Sequence, residues 1–240
     1  MTLHMIKLVP DMPLLIRWAE RQRLLDRAHE DDLGYALHAA LRAAFGDLAP
    51  QPFALMTERV RSPELLGYTA HDAIALRDHA SSFADPEVAG VIGLGSLAGK
   101  PMPDSFAAGR RLGFILRARP TIRTDRDGDR NRVAERDAYR EPVPDAVDAG
   151  PTRGEVYQAW LTARLLAGGA TVKMLMLERF RRSFTLRRDK SRRLCAVEGP
   201  DAGFSGVLVV HDGERFGSLL AHGVGRHAAF GYGMLLLRPA

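Results

Sequence analysis

Asp31, Tyr35, His38 and Arg42 are spaced by four, three and four residues, which puts them on one flank of an α-helix. An imidazole titrates near neutral pH and can take or give a proton. A phenol one turn away and a guanidinium one turn further make this a polar group of mixed chemistry on one helix face. A lone histidine on a helix flank is more often a surface or boundary residue, so the stripe becomes a site only if something brings it a substrate. Two other segments could. Arg179 to Arg193 (RFRRSFTLRRDKSRR) holds eight basic residues and one acid in 15 positions, with Phe180 and Phe184 interleaved. Each arginine that neutralises a phosphate releases a counterion, so such a cluster favours nucleic acid; its plain alternative is a solvated basic hairpin. Gly223 to Gly233 (GVGRHAAFGYG) has four glycines in 11 residues, and its backbone N–H groups could approach a phosphate. No Gly-Lys-Ser/Thr follows it and it precedes a strand, so it is neither a Walker loop nor a dinucleotide fingerprint; by pattern alone it is a turn.

The elements that must position these residues are legible in part. Leu3 to Val9 reads as a strand, and residues 14 to 30 have helical periodicity. Asp31 or Asp32 can cap a second helix that runs to Phe45 and stops at Gly46. Leu33, Leu37, Leu41 and Ala44 form its core stripe, beside the polar flank. Gln51 to Val60 suits a strand, Pro86 to Ile92 is ambiguous, and Gly93 to Pro103 reads as loop. Leu112 to Leu116 suits a strand. Between Arg110 and Arg140 ten arginines face five acids, with a turn signal around Gly128 that predicts a mobile loop over 124–132. Residues 140 to 151 (REPVPDAVDAGP) read as a linker. Thr152 with Glu155 is a capping box that opens a helix to Gly168. Residues 172–177, 184–186 and 204–210 are strand-like, 212–222 a short helix, and 234–237 a closing strand. The economical architecture is α+β, with two tandem ferredoxin-like units: residues 1–140, a linker at 141–151, and residues 152–240.

Composition narrows the partners. The 240 residues carry a net charge of +5, and of 34 basic residues only Lys7, Lys100, Lys173 and Lys190 are lysine. Guanidinium groups stay charged, stack on bases and grip phosphates bidentately, so nucleic acid is the first partner to test, ahead of an acidic protein or a membrane. No apolar run is long enough to cross a membrane, no signal peptide is evident, and the single Cys195 excludes an internal disulfide, all of which fits a cytoplasmic protein. The histidines show no HxxxH or HExxH spacing, so no metal site and no cofactor is expected.

Taken in order, several of these segments resemble one family. The tail from Phe204 to Pro239, with a strand, a short helix and the glycine-rich segment, is similar to the C-terminus of the CRISPR repeat-processing endoribonucleases of the subtype I-E Cascade complex, the CasE family. Phe114-Ile-Leu-Arg-Ala-Arg-Pro120 is similar to its F-x-L-R-A-N-P segment, Trp160-Leu161 to its Trp-Leu helix, and Tyr35-x-x-His38 to its Tyr-x-x-His position. Two positions depart from the family: Ala228 stands where it has lysine, so that a phosphate contact is missing or moved to Arg226 or His227, and Arg119 stands where it has asparagine.

The resemblance implies a pair of ferredoxin-like, RNA-recognition-like domains. It implies binding of the stem-loop of the CRISPR repeat, a metal-independent cut at the 3′ base of the hairpin, and retention of the mature guide RNA within a Cascade-type complex. His38 would be the general acid or base, and Tyr35 would orient the scissile phosphate or the 2′-oxygen. Arg42 would stabilise charge at phosphorus. An A-form stem is read mostly through phosphates and shape, so Arg181, Arg182, Arg187, Arg188 and Arg192 would grip it, with Arg117, Arg119 and Arg123 tracking the strand. Arg226, His227 and the turn glycines Gly223, Gly225, Gly231 and Gly233 would complete the surface. The alternative is a non-catalytic subunit that only holds the guide's hairpin.

Overall fold

Strands and helices follow one another in the same order twice. A computed structural model describes residues 2–25, 33–57, 62–126, 129–140, 150–188 and 194–240. The first pass is β1 (His4–Leu8), α1 (Met12–Arg21), α2 (Gly34–Phe45), β2 (Phe53–Met56), β3 (Glu64–Thr69), α3 (Ala73–Phe83), α4 (Pro86–Val91) and β4 (Ala98–Pro101). The second is β5 (Arg111–Ala118), a hairpin of β6 (Thr121–Arg126) and β7 (Asp129–Asp137), α5 (Arg153–Ala167), β8 (Ala170–Arg188), β9 (Leu194–Val210), α6 (Gly213–His222) and β10 (Leu236–Arg238). The two large sheets are antiparallel, with orders β2-β3-β1-β4 and β10-β5-β9-β8. Counted within its own pass, each reads fourth, first, third, second, the ferredoxin-like β-α-β-β-α-β arrangement. The α+β class with two such units is therefore as expected. The β6–β7 hairpin is an insertion between the first strand and first helix of the second unit.

The sheets divide the chain between Pro101 and Arg111, not at residue 140. β5 lies in the second sheet, paired with β9 from Arg111↔Val209 to Ala118↔Ala202 and with β10 on its other side. Its local apolar pattern cannot tell which of two sheets it will join. The linker at 141–149 lies outside the described residues.

Helix starts follow side-chain caps. Asp11, Asp72, Asp85, Thr152 and Asp212 each accept a backbone N–H from the first turn of α1, α3, α4, α5 and α6. Thr152 and Glu155 form the predicted capping box. Pro13, which looks like the end of a strand, sits instead in the first turn of α1, where it needs no N–H partner. That helix stops at Arg21, short of residue 30, and Arg23 already has φ 55°. Asp31 and Asp32 lie outside the described residues; Leu33 precedes α2 without a side-chain cap.

Several elements differ from the sequence expectation. The loop expected over 93–103 contains β4, an edge strand, which tolerates the glycine and proline of its AGKP sequence. β3 and α3 have no counterpart in the pattern reading. Gly67 weakens the strand signal in β3 and is needed there, because a Cβ would lie 2.8 Å from Pro50 Cβ. Where a mobile loop is expected over 124–132, β6 and β7 form a ladder up to Arg126 and from Asp129 onward; residues 127 and 128 lie outside the described residues.

Each sheet packs its helices over a separate core. In the first, Ile6 and Leu8 of β1 meet Leu15 and Trp18 of α1, Leu37 and Leu41 of α2, and Leu76 of α3. In the second, Phe114, Leu116, Phe204 and Leu208 meet Tyr157, Leu161 and Leu165 of α5 and Phe216 and Leu220 of α6. Tyr68 of β3 belongs to the second core, where its hydroxyl donates to the Leu235 carbonyl at 3.0 Å and ties the two units together. Burial of such an aromatic with its polar end paired stabilises the contact.

Candidate active site

The core stripe of α2 decides where its polar flank points. Leu37, Leu41 and Ala44 are buried as expected, and Leu33 is partly buried. The flank left over carries Tyr35 and His38, with ring centroids 6.4 Å apart. Phe230, from the glycine-rich segment of the other unit, closes on both: its ring stands edge-on to His38 at 5.4 Å and 6.0 Å from Tyr35. The structure thus brings together the helix stripe and the glycine segment, which are about 190 residues apart. Burial lowers the His38 pKa from its ordinary value, and the Arg42 charge lowers it further. The imidazole is therefore neutral at neutral pH and ready to accept a proton. The Arg42 guanidinium donates to the Asp47 carboxylate at 2.7 Å on the exposed side of the helix end. Asp31, the other end of the predicted stripe, lies outside the described residues.

The glycine segment is a turn whose shape depends on its glycines. Gly223, Gly225, Gly231 and Gly233 all have φ between 78° and 83°. At Gly225 a Cβ would also meet the Trp160 ring at 2.9 Å. Gly233 donates its N–H to the Arg117 carbonyl at 2.7 Å and accepts from Val224 at 2.8 Å, which pins the segment to β5. Residues Ala228–Phe230 form a single 3₁₀ turn that delivers the Phe230 ring. His227, which starts this turn, has φ 65°, a conformation most side chains avoid.

His227 does not face outward. Its side chain is 8% exposed and its Nε2 lies 2.8 Å from Glu135 Oε1. Thr121 Oγ1 donates to the same oxygen at 2.8 Å, and Arg226 Nε pairs with Oε2 at 3.2 Å. Burial raises the Glu135 pKa, but the His227 and Thr121 hydrogen bonds and the Arg226 charge outweigh it and hold the group down at about 2. Glu135 has no distinguishing motif; its only sequence signal is being an acid within an arginine-rich stretch. Of the two candidates for the family lysine's contact, Arg226 remains half-exposed and His227 does not.

The arginines sort into three environments. Arg117 donates Nε and Nη2 to the two oxygens of Asp201, each at 2.9 Å, and its guanidinium lies 4.3 Å from the Tyr232 ring centre. Arg181 donates to the same carboxylate at 2.8 Å, and Arg182 donates to Glu198 at 2.6 Å. Asp201 is fully buried at the side chain; burial raises its pKa, but Arg117 and Arg181 outweigh that and lower it. The arginine run looks unneutralised in sequence. Pairing of β8 with β9 sets Arg181 directly opposite Asp201 and brings Glu198 beside Arg182, so acids 20 and 16 residues away partly neutralise it. Arg181 and Arg182 keep about half their side-chain surface exposed. The backbones of Arg187 and Arg188 continue the strand, with side chains outside the described ones, and Arg192 lies outside the described residues.

Arg119 corrects the expectation that it tracks a strand of RNA. It is 1% exposed. Its guanidinium donates to the carbonyls of Pro200, Ser183 and Val197 and to the Thr185 hydroxyl. Gly199 leaves the room, since a Cβ there would be 2.5 Å from Arg119 Nη2. The group fastens the β8–β9 hairpin to the end of β5 and is closed to ligand. Arg123, by contrast, is exposed on β6. Between β2 and the second sheet a cleft of about 410 Å³ is lined by Met56, Arg117, Arg179 and Ser205. Among the described residues no group of three His, Cys, Asp or Glu side chains is placed to hold a metal ion, and no helix is long and apolar enough to cross a membrane.

Comparison with known proteins places this geometry. Among solved structures, the CRISPR endoribonuclease Cse3 bound to a 19-nucleotide RNA superposes over all of both chains, with a TM-score of 0.63 at 22% identity. Thermus thermophilus Cse3 bound to an RNA representing a pre-cleavage complex gives 0.62 at 21%, again over all of both chains. The CRISPR-associated protein Cas6e from Escherichia coli K-12 gives 0.58 at 18%, over 99% of this chain and 100% of that one. At these identities the likeness is one of fold. Among curated protein sequences none matches. The family model for CRISPR associated proteins matches residues 12–239, nearly the whole length and all of the site just described, so the chain belongs to the CRISPR-associated protein family.

Proposed function

We propose that this protein is an endoribonuclease that binds the stem-loop of a CRISPR repeat, cuts precursor RNA at the 3′ base of the hairpin, and keeps the product as a subunit of a Cascade-type complex. The observation that carries the reading is the packing of Phe230 against Tyr35 and His38, in a fold shared with RNA-bound Cse3. It sets a neutral imidazole at the junction of the two units, on the same molecule as a basic hairpin. The long β8–β9 hairpin, with Arg181, Arg182, Arg187 and Arg188, grips the phosphates of the stem. Arg42 and Arg226 face the backbone near the reacting bond.

RNA carries its own nucleophile. His38 accepts the 2′-OH proton as the 2′-oxygen attacks phosphorus. The 2′-O–P bond forms, the P–O5′ bond breaks, and the leaving oxygen takes a proton from solvent. Tyr35 orients the phosphate or the attacking hydroxyl. Positioning in line supplies much of the acceleration and needs no metal. The products are a 2′,3′-cyclic phosphate and a 5′-hydroxyl. The test is incubation in EDTA with the repeat RNA of a CRISPR array from the same genome. One cut at the hairpin's 3′ base with those ends is expected; RNA bound but uncut, with or without magnesium, would leave a hairpin-binding subunit instead, the reading that Ala228 at the family's lysine position favours.

A further inference from the structure

The Glu135 cluster lies outside the reacting pair and is connected to it. One carboxylate joins three elements: Oε1 takes hydrogen bonds from Thr121 on β6 and His227 on the glycine turn, and Oε2 pairs with Arg226 on the same turn. Glu135 itself stands on β7, in the inserted hairpin that the ferredoxin-like frame does not require. The hairpin's base is anchored independently. Trp160 and Arg164 of α5 donate to the Thr121 carbonyl, and Tyr157 and Arg153 donate to Asp137 at its other end. Glu135 is therefore a fixed point, and the turn is the part it restrains.

That restraint has a target. His227 holds a left-handed backbone that most side chains adopt only when their surroundings impose it. Its carbonyl accepts from the Phe230 N–H at 2.8 Å, closing the 3₁₀ turn, and the Phe230 ring is what meets His38 edge-on and Tyr35 beside it. Without the carboxylate, the His227 side chain loses its hydrogen bond and keeps ring contacts with Phe230 and Tyr232, and Arg226 and the turn lose their common anchor. We infer that Glu135 is a positioning residue for RNA cleavage: through His227 it locks the glycine turn so that Phe230 sets the orientation of the His38 imidazole. This rests on the cleavage reading above and adds to it a residue that touches neither His38 nor Phe230.

A double-mutant cycle on single-turnover cleavage tests it, with binding measured alongside. Glu135→Ala is expected to slow cleavage about 10- to 100-fold, the cost of a small misplacement at a reacting group, while RNA affinity stays within about twofold of wild type. His227→Gly supplies a residue that takes the same backbone angle without restraint. In that background Glu135→Ala should add less than about threefold, because the two changes act through one turn. The His38 ring resonance should move in Glu135→Ala protein, which a merely structural anchor of the hairpin would not cause. If Glu135→Ala melts below the assay temperature, Glu135→Gln carries the same measurements, since it keeps volume and one acceptor but presents a donor toward Arg226. Full cleavage by a folded Glu135 variant, losses that multiply across the cycle, or a rate loss matched by an equal loss of affinity would each overturn the inference. A wild-type protein that does not cut removes the cleavage reading, and this inference with it; a wild type and a Glu135 variant that cut equally remove the inference alone.

Discussion

The strands of the first sheet run four to six residues, while β8 and β9 of the second run 19 and 17. Both units have the same strand order, so topology does not demand the difference. Strands of five or six residues are the ordinary length for covering a small core, and the first unit stays near it. Its candidate residues, Tyr35 and His38, sit on a helix flank whose direction the core stripe fixes. The second unit extends a hairpin beyond that length and lines it with arginine. The extension needs internal support of its own, which Arg119, Asp201 and Glu198 supply from within the hairpin and from β5. One unit carries the histidine of the proposed reaction and the other carries charge, and the glycine turn meets the first through Phe230.

The largest expected effects test that separation directly. His38→Ala should reduce single-turnover cleavage by about 10²- to 10⁴-fold with RNA affinity retained, measured by quenched cleavage and by filter binding. The reverse change, Arg181, Arg182, Arg187 and Arg188 all to Ala, should weaken binding and lower the slope of log affinity on log salt by about three. An unchanged affinity would make the hairpin a solvated surface, and a His38→Ala protein that cuts at the wild-type rate would take the imidazole out of the chemistry.

A smaller effect distinguishes the arginine that supports the hairpin from those that face solvent. Arg119→Met leaves three carbonyls and the Thr185 hydroxyl without their donor and should cost about 2–4 kcal/mol of stability. Thermal melts should record the loss, and the salt slope of the folded protein should not move. A reduced slope with an unchanged melting temperature would put Arg119 on the RNA.

The smallest effect sharpens the account of the first unit. Burial and then the Arg42 charge lower the His38 pKa. A neutral imidazole is the active form of a base, so activity is lost as pH falls through that lowered value. Removing the Arg42 charge lets the value rise toward that of an ordinary histidine. The acid limb of the pH–rate profile in Arg42→Ala protein should therefore move to higher pH. An acid limb that stays in place while the alkaline limb moves to higher pH would mean that the protonated form of His38 acts.

Periodicity was enough for the parts of the molecule that satisfy themselves locally. The stripe of Leu37, Leu41 and Ala44 predicts which way Tyr35 and His38 point, and Thr152 with Glu155 marks the start of α5. The glycines of the tail announce a turn, and their positive φ angles are why. Pattern failed where an element's meaning depends on its neighbour. AGKP is a strand only because β1 lies beside it, and β5 joins the second sheet only because β9 and β10 flank it. Arg119 and Arg123 stand four residues apart with the same side chain, and one is buried while the other is exposed. The arginine run appeared uncompensated because Glu198 and Asp201 lie on the opposite strand.

What the amino-acid order determined by itself is the set of short-range choices: caps, turns, the buried side of each helix, and an excess of guanidinium that favours phosphate. Those depend on residues within a turn or a strand of one another. Only the tertiary structure decided that Phe230 would meet His38, that Asp201 would bind two arginines and that Glu135 would hold His227. Each of these is a contact between segments far apart in the chain. The first exists because the two units meet, with Tyr68 of one sheet donating to Leu235 of the other; the other two lie within the second unit, where the pairing of β8 with β9 and the inserted β6–β7 hairpin bring the partners together.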